Sequence, residues 1–397
     1  MNSASKLTLD RRKVVILARS LEVGGAETQL AALAKGLPAD QFDVTVACLY
    51  AKGPLMSELQ AAGIHILSLE KKGRWDIFSF FSRTRRTLAE LQPDILHSFL
   101  TPPNILSSLI IKHLKNCKLV WGVRASNMDM SNYDWTWGLT FRLECLLSQR
   151  PDIIVANADA GKKYVVGKGF PQQSMTVIPN GIDTSRYSVD KDAGQTIRQE
   201  FGLTMHDKLI GIVARLDPMK DHRTFLQAAG EMSKNHPDVR FLCVGYGPSE
   251  YEQSLKQLAK DLNLDDKVIW VGQRRDLLSL YSAMDIASLT SAYGEGFPNT
   301  IGEAMSCEVP CLGTDVGDTA KVIGDTCIVT PIGDVNAIVN GWLAILSETT
   351  DEQSVRRKRC RQRIVNNFSL ESMIESHTRL YDQLCEGVDK GKDVVHD

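Results

Sequence analysis

The chain has 397 residues, 43% hydrophobic and 24% charged, with a formal net charge of −2. This is the composition of a folded globular protein long enough for two domains, and its apolar runs are too short for a bilayer-spanning helix. The nine cysteines are scattered, only Cys307 and Cys311 lie close, and neither CxxC pairs nor a histidine cluster accompany them. A disulfide scaffold and a zinc module are therefore excluded, no metal ligands are assigned, and reduced thiols of a cytoplasmic protein are expected. Charge is unevenly divided: residues 1–183 hold 22 Lys and Arg against 16 Asp and Glu, a balance of +6, and the remainder carries −8.

Met1 to Arg12 is polar, without the apolar core of a signal peptide, and reads as a loose tail. Lys13-Val-Val-Ile-Leu-Ala18 follows as a buried strand, then Gly24-Gly25 and a helical pattern over 26–35. This strand, glycine turn and helix is not GxGxxG, so a dinucleotide fingerprint is absent. Further strands are expected at 42–50, 64–70, 94–100, 118–125, 152–158 and 175–179. Helices are expected near 55–62, 76–91, 103–114, 134–149 and 159–167. Such alternation implies a parallel sheet covered on both faces. Asn180-Gly181-Ile182-Asp183 is a turn signal, and the polar stretch 184–206 is the expected boundary. Strands then restart at 208–214, 239–245, 268–272, 286–290 and 310–314, and the pattern is helical from 334 on.

The chain thus divides into a first α/β domain, 1–183, a linker region, 184–206, and a second α/β domain, 207–365. Residues 366–397 are expected to form a last helix and tail packing back toward the first domain. In open parallel sheets ligands sit at the carboxyl ends of the strands, so two such domains facing one another form a cleft. The run Arg356, Arg357, Lys358, Arg359, Arg361, Arg363 reads as a solvated helix face. It lacks the interleaved aromatics that stack bases, so no nucleic-acid partner is expected.

Ser291-Ala-Tyr-Gly-Glu-Gly-Phe-Pro-Asn-Thr-Ile-Gly-Glu-Ala-Met305 carries the densest chemistry. It follows a short buried strand and runs into a helix, with Pro298 suited to the first helical position. A helix start offers free N–H groups to an anion, and Gly294 and Gly296 permit close approach. Glu295 and Glu303 flank this anion site, and carboxylates accept hydrogen bonds from sugar hydroxyls. A nucleotide-sugar, anionic in the middle and hydroxylated at its ends, fits both features; an ordinary strand-to-helix turn fits the local pattern too. Arg215 ends the strand Ile210–Arg215 and Lys220 follows five positions later, two cations able to neutralise a diphosphate leaving group without metal. Gly245-Tyr-Gly247 ends another strand and could bring backbone close to a ligand, and Gly272-Gln273-Arg274 could line a base pocket. His97 lies near the end of the strand 94–100, where it faces either cleft or core.

Together these motifs resemble the retaining family-4 glycosyltransferases of GT-B architecture, which build bacterial polysaccharides and glycolipids. Glu295 and Glu303 match that family's E-x7-E, and Arg215 and Lys220 its R-x4-K. Gly24-Gly25-Ala-Glu27 matches its first glycine loop, Ile178-Pro-Asn-Gly-Ile-Asp183 its interdomain turn, and Pro310–Gly317 the segment after E-x7-E. The resemblance covers nearly the whole chain. It implies two tandem Rossmann-like domains and transfer of a hexose-type sugar from a UDP- or GDP-linked donor, UDP favoured, to a glycan or lipid-linked hydroxyl. It implies donor diphosphate on Arg215 and Lys220, ribose hydroxyls on Glu303, and donor sugar near Glu295, Gly296, Phe297, Pro298 and Asn299. Gly24 and Gly25 would approach donor phosphate or acceptor, His97 would assist catalysis, and Arg124 would line the cleft. No metal or other cofactor is implied. The sequence departs from the family pattern at Phe99, where many members carry a second histidine, and at Cys307-Glu308, where glycine is common. The alternatives are a catalytically silent nucleotide-sugar binder and a GT-B epimerase.

A peripheral contact with the inner face of the plasma membrane is expected through residues 71–86. Ile77, Phe81, Thr84, Leu88 and Leu91 fall at helical spacing as a core face. Phe78 and Phe80 lie off that face, with Arg74 and Arg85 beside Phe78 and Lys71, Lys72, Arg83 and Arg86 nearby. Cations around a protruding aromatic suit anionic lipid.

Overall fold

The computed structural model describes residues 11–73, 75–124, 135–204 and 206–389, so Arg74 and both chain ends lie outside it. The first sheet comprises β1 (Arg12–Ala18), β2 (Phe42–Cys48), β3 (His65–Ser68), β4 (Ile95–Phe99), β5 (Lys118–Val123), β6 (Ile153–Ala156) and β7 (Met175–Val177). The second comprises β8 (Lys208–Val213), β9 (Val239–Val244), β10 (Val268–Gly272), β11 (Ile286–Leu289), β12 (Cys311–Thr314) and β13 (Ile328–Thr330). Their orders are β3-β2-β1-β4-β5-β6-β7 and β10-β9-β8-β11-β12-β13, and the pairings are parallel. Both sheets reverse direction at an interior point, between β1 and β4 and between β8 and β11.

The strands are continuous apolar runs because both sheet faces are covered. Val14, Ile16 and Ala18 of β1 face a core with Leu30, Leu33 and Phe42, while Val15 and Leu17 face the opposite core with Leu96 and Trp121. Ile210 and Ile212 of β8 pack with Phe225, Phe241 and Trp342 on one side of the second sheet, and Leu209 packs with Tyr281 and Ile301 on the other. The unanticipated strand is β13, three residues long and so too short to show a period of two.

Residues 184–206 contain the helix Lys191–Glu200, capped by Asp190, whose carboxylate accepts the Ala193 N–H at 2.9 Å. It is fastened to the second domain, where Arg198 donates to the Ala283 carbonyl at 2.9 Å. The chain crosses between domains at Ile182 and again at Ser369, and the crossings pair: Ile182 N–H donates to Phe368 O at 2.8 Å, and Leu370 N–H to Ile182 O at 2.9 Å. The last helix, Leu370–Asp389, then lies on the first sheet, with Met373 and Tyr381 in its core.

Two helix faces differ from expectation. In Phe78–Leu91 the fully buried residues are Phe80, Thr84 and Leu88; Ile77 is exposed because it precedes the helix, and Phe80 is covered by Lys71, whose ammonium lies 5.0 Å from the ring centre. The basic helix Thr350–Asn367 is not a solvated face. Arg361 donates to the carbonyls of Ser306 (2.6 Å), Tyr187 and Thr184 (both 3.0 Å), Arg363 to those of Val322 (2.7 Å) and Lys321 (2.5 Å), and Arg359 pairs with Asp325 at 2.7 Å. Arginines at the ends of the helices Asn299–Ser306 and Thr319–Ile323 meet carbonyls that helix termination leaves unpaired.

Candidate active site

The segments that follow β8 and β11 bracket the reversal of the second sheet, the crevice where open parallel sheets take ligands. After β8, the Asp217 carboxylate accepts the Met219 N–H and an Arg215 guanidinium N–H, both at 2.9 Å, bending the chain into the single turn Pro218–Lys220. After β11, the Thr290 hydroxyl donates to the Lys220 and Asp221 carbonyls at 3.2 and 3.0 Å, and Ala292 N–H to Met219 O at 2.9 Å. The two segments are thus clamped together, and the clamp sets Lys220 against Glu295. The Lys220 ammonium donates to the Glu295 carboxylate, which also accepts the buried Ser291 hydroxyl at 2.5 Å. Glu295 is 5% exposed, whereas the Arg215 side chain is 59% exposed.

Gly294 has φ 77°, a left-handed turn that glycine adopts without steric cost. The helix Asn299–Ser306 starts one residue later than expected, with Pro298 as its cap. Phe297 points into the core against Phe368, ring centres 5.4 Å apart, leaving only its backbone toward the cleft. One turn into the helix, Glu303 accepts the Tyr281 hydroxyl at 2.9 Å. Burial pushes the Glu303 carboxyl up to about 7, against the opposing effects of the Tyr281 hydrogen bond and the Arg186 charge.

Gly245 packs beside Arg215, and Gln273 lies exposed at the end of β10. A side chain at Gly245, φ 147°, would begin 1.9 Å from the Ala214 carbonyl oxygen, so this glycine is demanded by strand packing. Gln273 neighbours Arg274, which is held by Glu200 and Asp276.

The first domain closes the other side. A side chain at Gly25 would begin 3.2 Å from the Asn299 amide nitrogen, and one at Gly296 would begin 2.9 Å from Asn157 Oδ1, at the end of β6. Gly24 is the extended residue just before the helix Gly25–Gly36. Arg124, just past β5, donates to Asn180 Oδ1 at 2.7 Å, and the Asn180 amide donates to Asn299 Oδ1 at 2.8 Å. Its guanidinium lies 4.6 Å from the Phe99 ring centre, and burial lowers its pKa to about 10, which leaves it a cation at neutral pH. A second link joins the domains: the buried Asp318 carboxylate accepts the N–H groups of Asp159 and Ala160, both at 2.9 Å, capping the first-domain helix Asp159–Val166, while Asp318 N–H donates to Gly296 O at 3.0 Å.

His97 is placed in the interior rather than on the cleft wall. It is 0% exposed, its Nδ1 lies 2.7 Å from the Tyr381 hydroxyl, and it stacks on His377 of the last helix. Burial and the neighbouring His377 and Arg124 charges hold its pKa well below the ordinary histidine value, so it is neutral. Phe99 fills the adjacent position, 4.5 Å away between ring centres, and stacks under Arg124.

Sequence reasoning missed Ser291, Asn157, Asn180, Tyr281 and Asp318. Asn180 had a signal, since its turn was marked, and Ser291 opens the marked Ser291–Met305 stretch only four positions before Glu295; the others share a site only through long-range contacts.

Two parallel-sheet domains facing one another across such a site have the GT-B architecture. Residues 23–186 match the family described as Glycosyltransferase Family 4, and residues 207–348 that described as Glycosyl transferases group 1. A UDP-Gal:alpha-D-GlcNAc-diphosphoundecaprenol alpha-1,3-galactosyltransferase of Escherichia coli is 26% identical over 373 residues, covering 87% of this chain and 90% of that protein. The N-acetyl-alpha-D-glucosaminyl L-malate synthase of Bacillus anthracis is 24% identical over 305 residues, covering 75% and 77%. Among solved structures, Anabaena Alr3699/HepE in complex with UDP-glucose superposes with a TM-score of 0.81 at 20% identity, covering 95% of this chain and 99% of that one. The chain belongs to glycosyltransferase family 4, with the GT-B fold, and is a glycosyltransferase that uses a nucleotide-sugar.

Proposed function

We propose that the protein transfers a hexose-type sugar, with retention of anomeric configuration, from a UDP-sugar to a hydroxyl of a glycan or lipid-linked glycan. The observation that carries this reading is the Lys220–Glu295 pair, clamped at the reversal of the second sheet. Lys220, with Arg215, holds the donor diphosphate and stabilises the charge that grows on it as the bond to the anomeric carbon breaks. Glu295 accepts hydroxyls of the donor sugar, and Glu303 those of the ribose. Glu295 is already engaged by Lys220 and Ser291, which suits it to holding hydroxyls better than to nucleophilic attack. The acceptor oxygen therefore bonds to the anomeric carbon on the face the phosphate leaves, and its proton passes to the leaving phosphate oxygen. Arg215 and Lys220 supply the positive charge, so the reaction is metal-independent.

The choice of UDP and of a lipid-linked acceptor is supported by the relative whose name carries UDP-Gal and diphosphoundecaprenol, and by the neighbour bound to UDP-glucose. Such an acceptor is met at the inner membrane surface, and the segment 71–86 suits that encounter. Trp75 and Phe78 are 87% and 89% exposed, with Lys72, Arg85 and Arg86 exposed around them. Arg83 is no part of that surface, being tied to Asp76 at 3.2 Å and to the Glu70 carbonyl at 2.8 Å.

The test is release of UDP from a matching donor by purified protein with and without acceptor, and the anomeric configuration of the product by NMR. Acceptor-dependent release and retention are expected. Donor conversion without transfer would make the protein an epimerase, and an inverted product would refute the attack geometry.

A further inference from the structure

Cys311, Cys327 and Cys360 are far apart in the chain and meet at one point of the second domain. Cys311 opens β12 and Cys327 directly precedes β13, so the cluster lies at the amino ends of the strands, the edge opposite Lys220 and Glu295. The sulfurs of Cys327 and Cys360 are 3.2 Å apart, and the Cys311 backbone N–H donates to Cys327 Sγ at 3.1 Å. Cys360 is fully buried within the helix Thr350–Asn367, whereas Cys327 is partly exposed. One turn before Cys360, Arg356 donates to the Thr326 carbonyl at 2.6 Å, which anchors its guanidinium next to Cys327 in the chain.

The two thiols are unequal. Hydrogen bonds from Cys311 and Cys360 favour the Cys327 thiolate and lower its pKa well below the ordinary thiol value, while the same contact and burial raise that of Cys360. A partly exposed thiolate is the reactive form of cysteine, and a thiol in van der Waals contact with it is placed to resolve its first oxidation product.

We propose that Cys327 and Cys360 form a redox modification site, at which hydrogen peroxide oxidises Cys327 and Cys360 converts the product to a reversible disulfide. In the first step the Cys327 thiolate attacks one peroxide oxygen. The O–O bond breaks, hydroxide leaves and takes up a proton as water, and Cys327 becomes a sulfenic acid. In the second, the Cys360 sulfur attacks the sulfenic sulfur, the S–O bond breaks, and the hydroxyl departs as water with the Cys360 proton. Two thiols lose two electrons together and one peroxide gives two waters. A disulfide needs its sulfurs about 2.05 Å apart, so the pair closes by about 1.2 Å from its 3.2 Å contact. With both Cys360 and the neighbouring Cys311 removed, the sulfenic acid on Cys327 has no thiol of this cluster to resolve it and proceeds to sulfinic acid, which a thiol cannot reduce.

The experiment uses the full reduced chain, pulsed with hydrogen peroxide, alkylated, digested without reductant and mapped by mass spectrometry. The expected result is a cross-linked peptide joining Cys327 to Cys360 that disappears with dithiothreitol. In Cys360→Ser and Cys360→Ala, each combined with Cys311→Ala, Cys327 is expected as sulfinic acid, and Cys311→Ala alone is expected to keep the cross-link. The proposal is overturned if wild-type Cys327 remains fully alkylatable, if it joins a different cysteine, or if it reaches sulfinic acid as readily in the wild type as in the double variants. The wild-type map decides alone where a variant does not fold.

Discussion

Glu303→Gln separates the electrostatics of the proposed donor site from its packing. The Glu303 carboxyl has its pKa raised from 4.5 to about 7 by burial, so the folded protein holds that proton more tightly than the unfolded chain. For a raised pKa, the stabilisation is fully present below 4.5 and is lost as pH rises through about 7. Each unit corresponds to about 1.4 kcal/mol, so the loss is at most about 3 kcal/mol, and less to the extent that solvent reaches the half-buried side chain. Glutamine cannot ionise and escapes this loss. Relative to wild type, Glu303→Gln should therefore gain stability between pH 5 and pH 8, which at about 2–4 °C per kcal/mol is a widening Tm gap of several degrees. Buried His222 and His377, with pKa values lowered to about 4 and about 3, destabilise the fold as pH falls below the ordinary histidine value. They act equally in both proteins and cancel in the comparison. Calorimetry of the two proteins across this range is the assay, and Tm curves that stay parallel from pH 5 to pH 8 would refute the reasoning.

Three further outcomes are expected. Lys220→Ala should lower kcat about 10²–10³-fold, read in a UDP-release assay, and also lower the Tm because the buried Glu295 carboxylate loses its partner. Asp318→Ala removes two charge-assisted hydrogen bonds that cap a helix of the other domain, each worth about 1.5–3 kcal/mol; a lower Tm and a larger radius of gyration by X-ray scattering are the readouts. Trp75→Ala with Phe78→Ala should abolish sedimentation with anionic liposomes at low salt while leaving turnover on a soluble acceptor intact, and unchanged sedimentation would move the membrane contact elsewhere.

The sheets were legible because strands covered on both faces are written as uninterrupted apolar runs, such as Val14–Leu17 and Ile210–Val213. The loop from Ser291 to Met305 was legible because glycine, proline and acid spacing are local properties. Side-chain direction was not. His97 belongs to a strand end in sequence, but the last helix supplies Tyr381, 284 positions on, and His377 to enclose it. The arginines of Thr350–Asn367 look solvated until the carbonyls they meet, from Thr184 to Thr326, are brought to them by the fold. The helix Lys191–Glu200 was hidden because its polar composition outweighed the few apolar residues, such as Ile197, that dock it. Asp318 and the three-cysteine cluster depend wholly on contacts between distant segments.

The central claim is that the Lys220–Glu295 crevice holds a uridine diphosphate-sugar, and ligand-dependent melting of wild type and Lys220→Ala tests it most directly. UDP and its sugars, in a panel with their GDP and ADP counterparts, should raise the wild-type Tm. At 100 times the dissociation constant the gain is about 2.7 kcal/mol, and it should be largely lost in Lys220→Ala. An equal shift in both proteins, or a wild type stabilised by GDP or ADP and not by UDP, would contradict the claim.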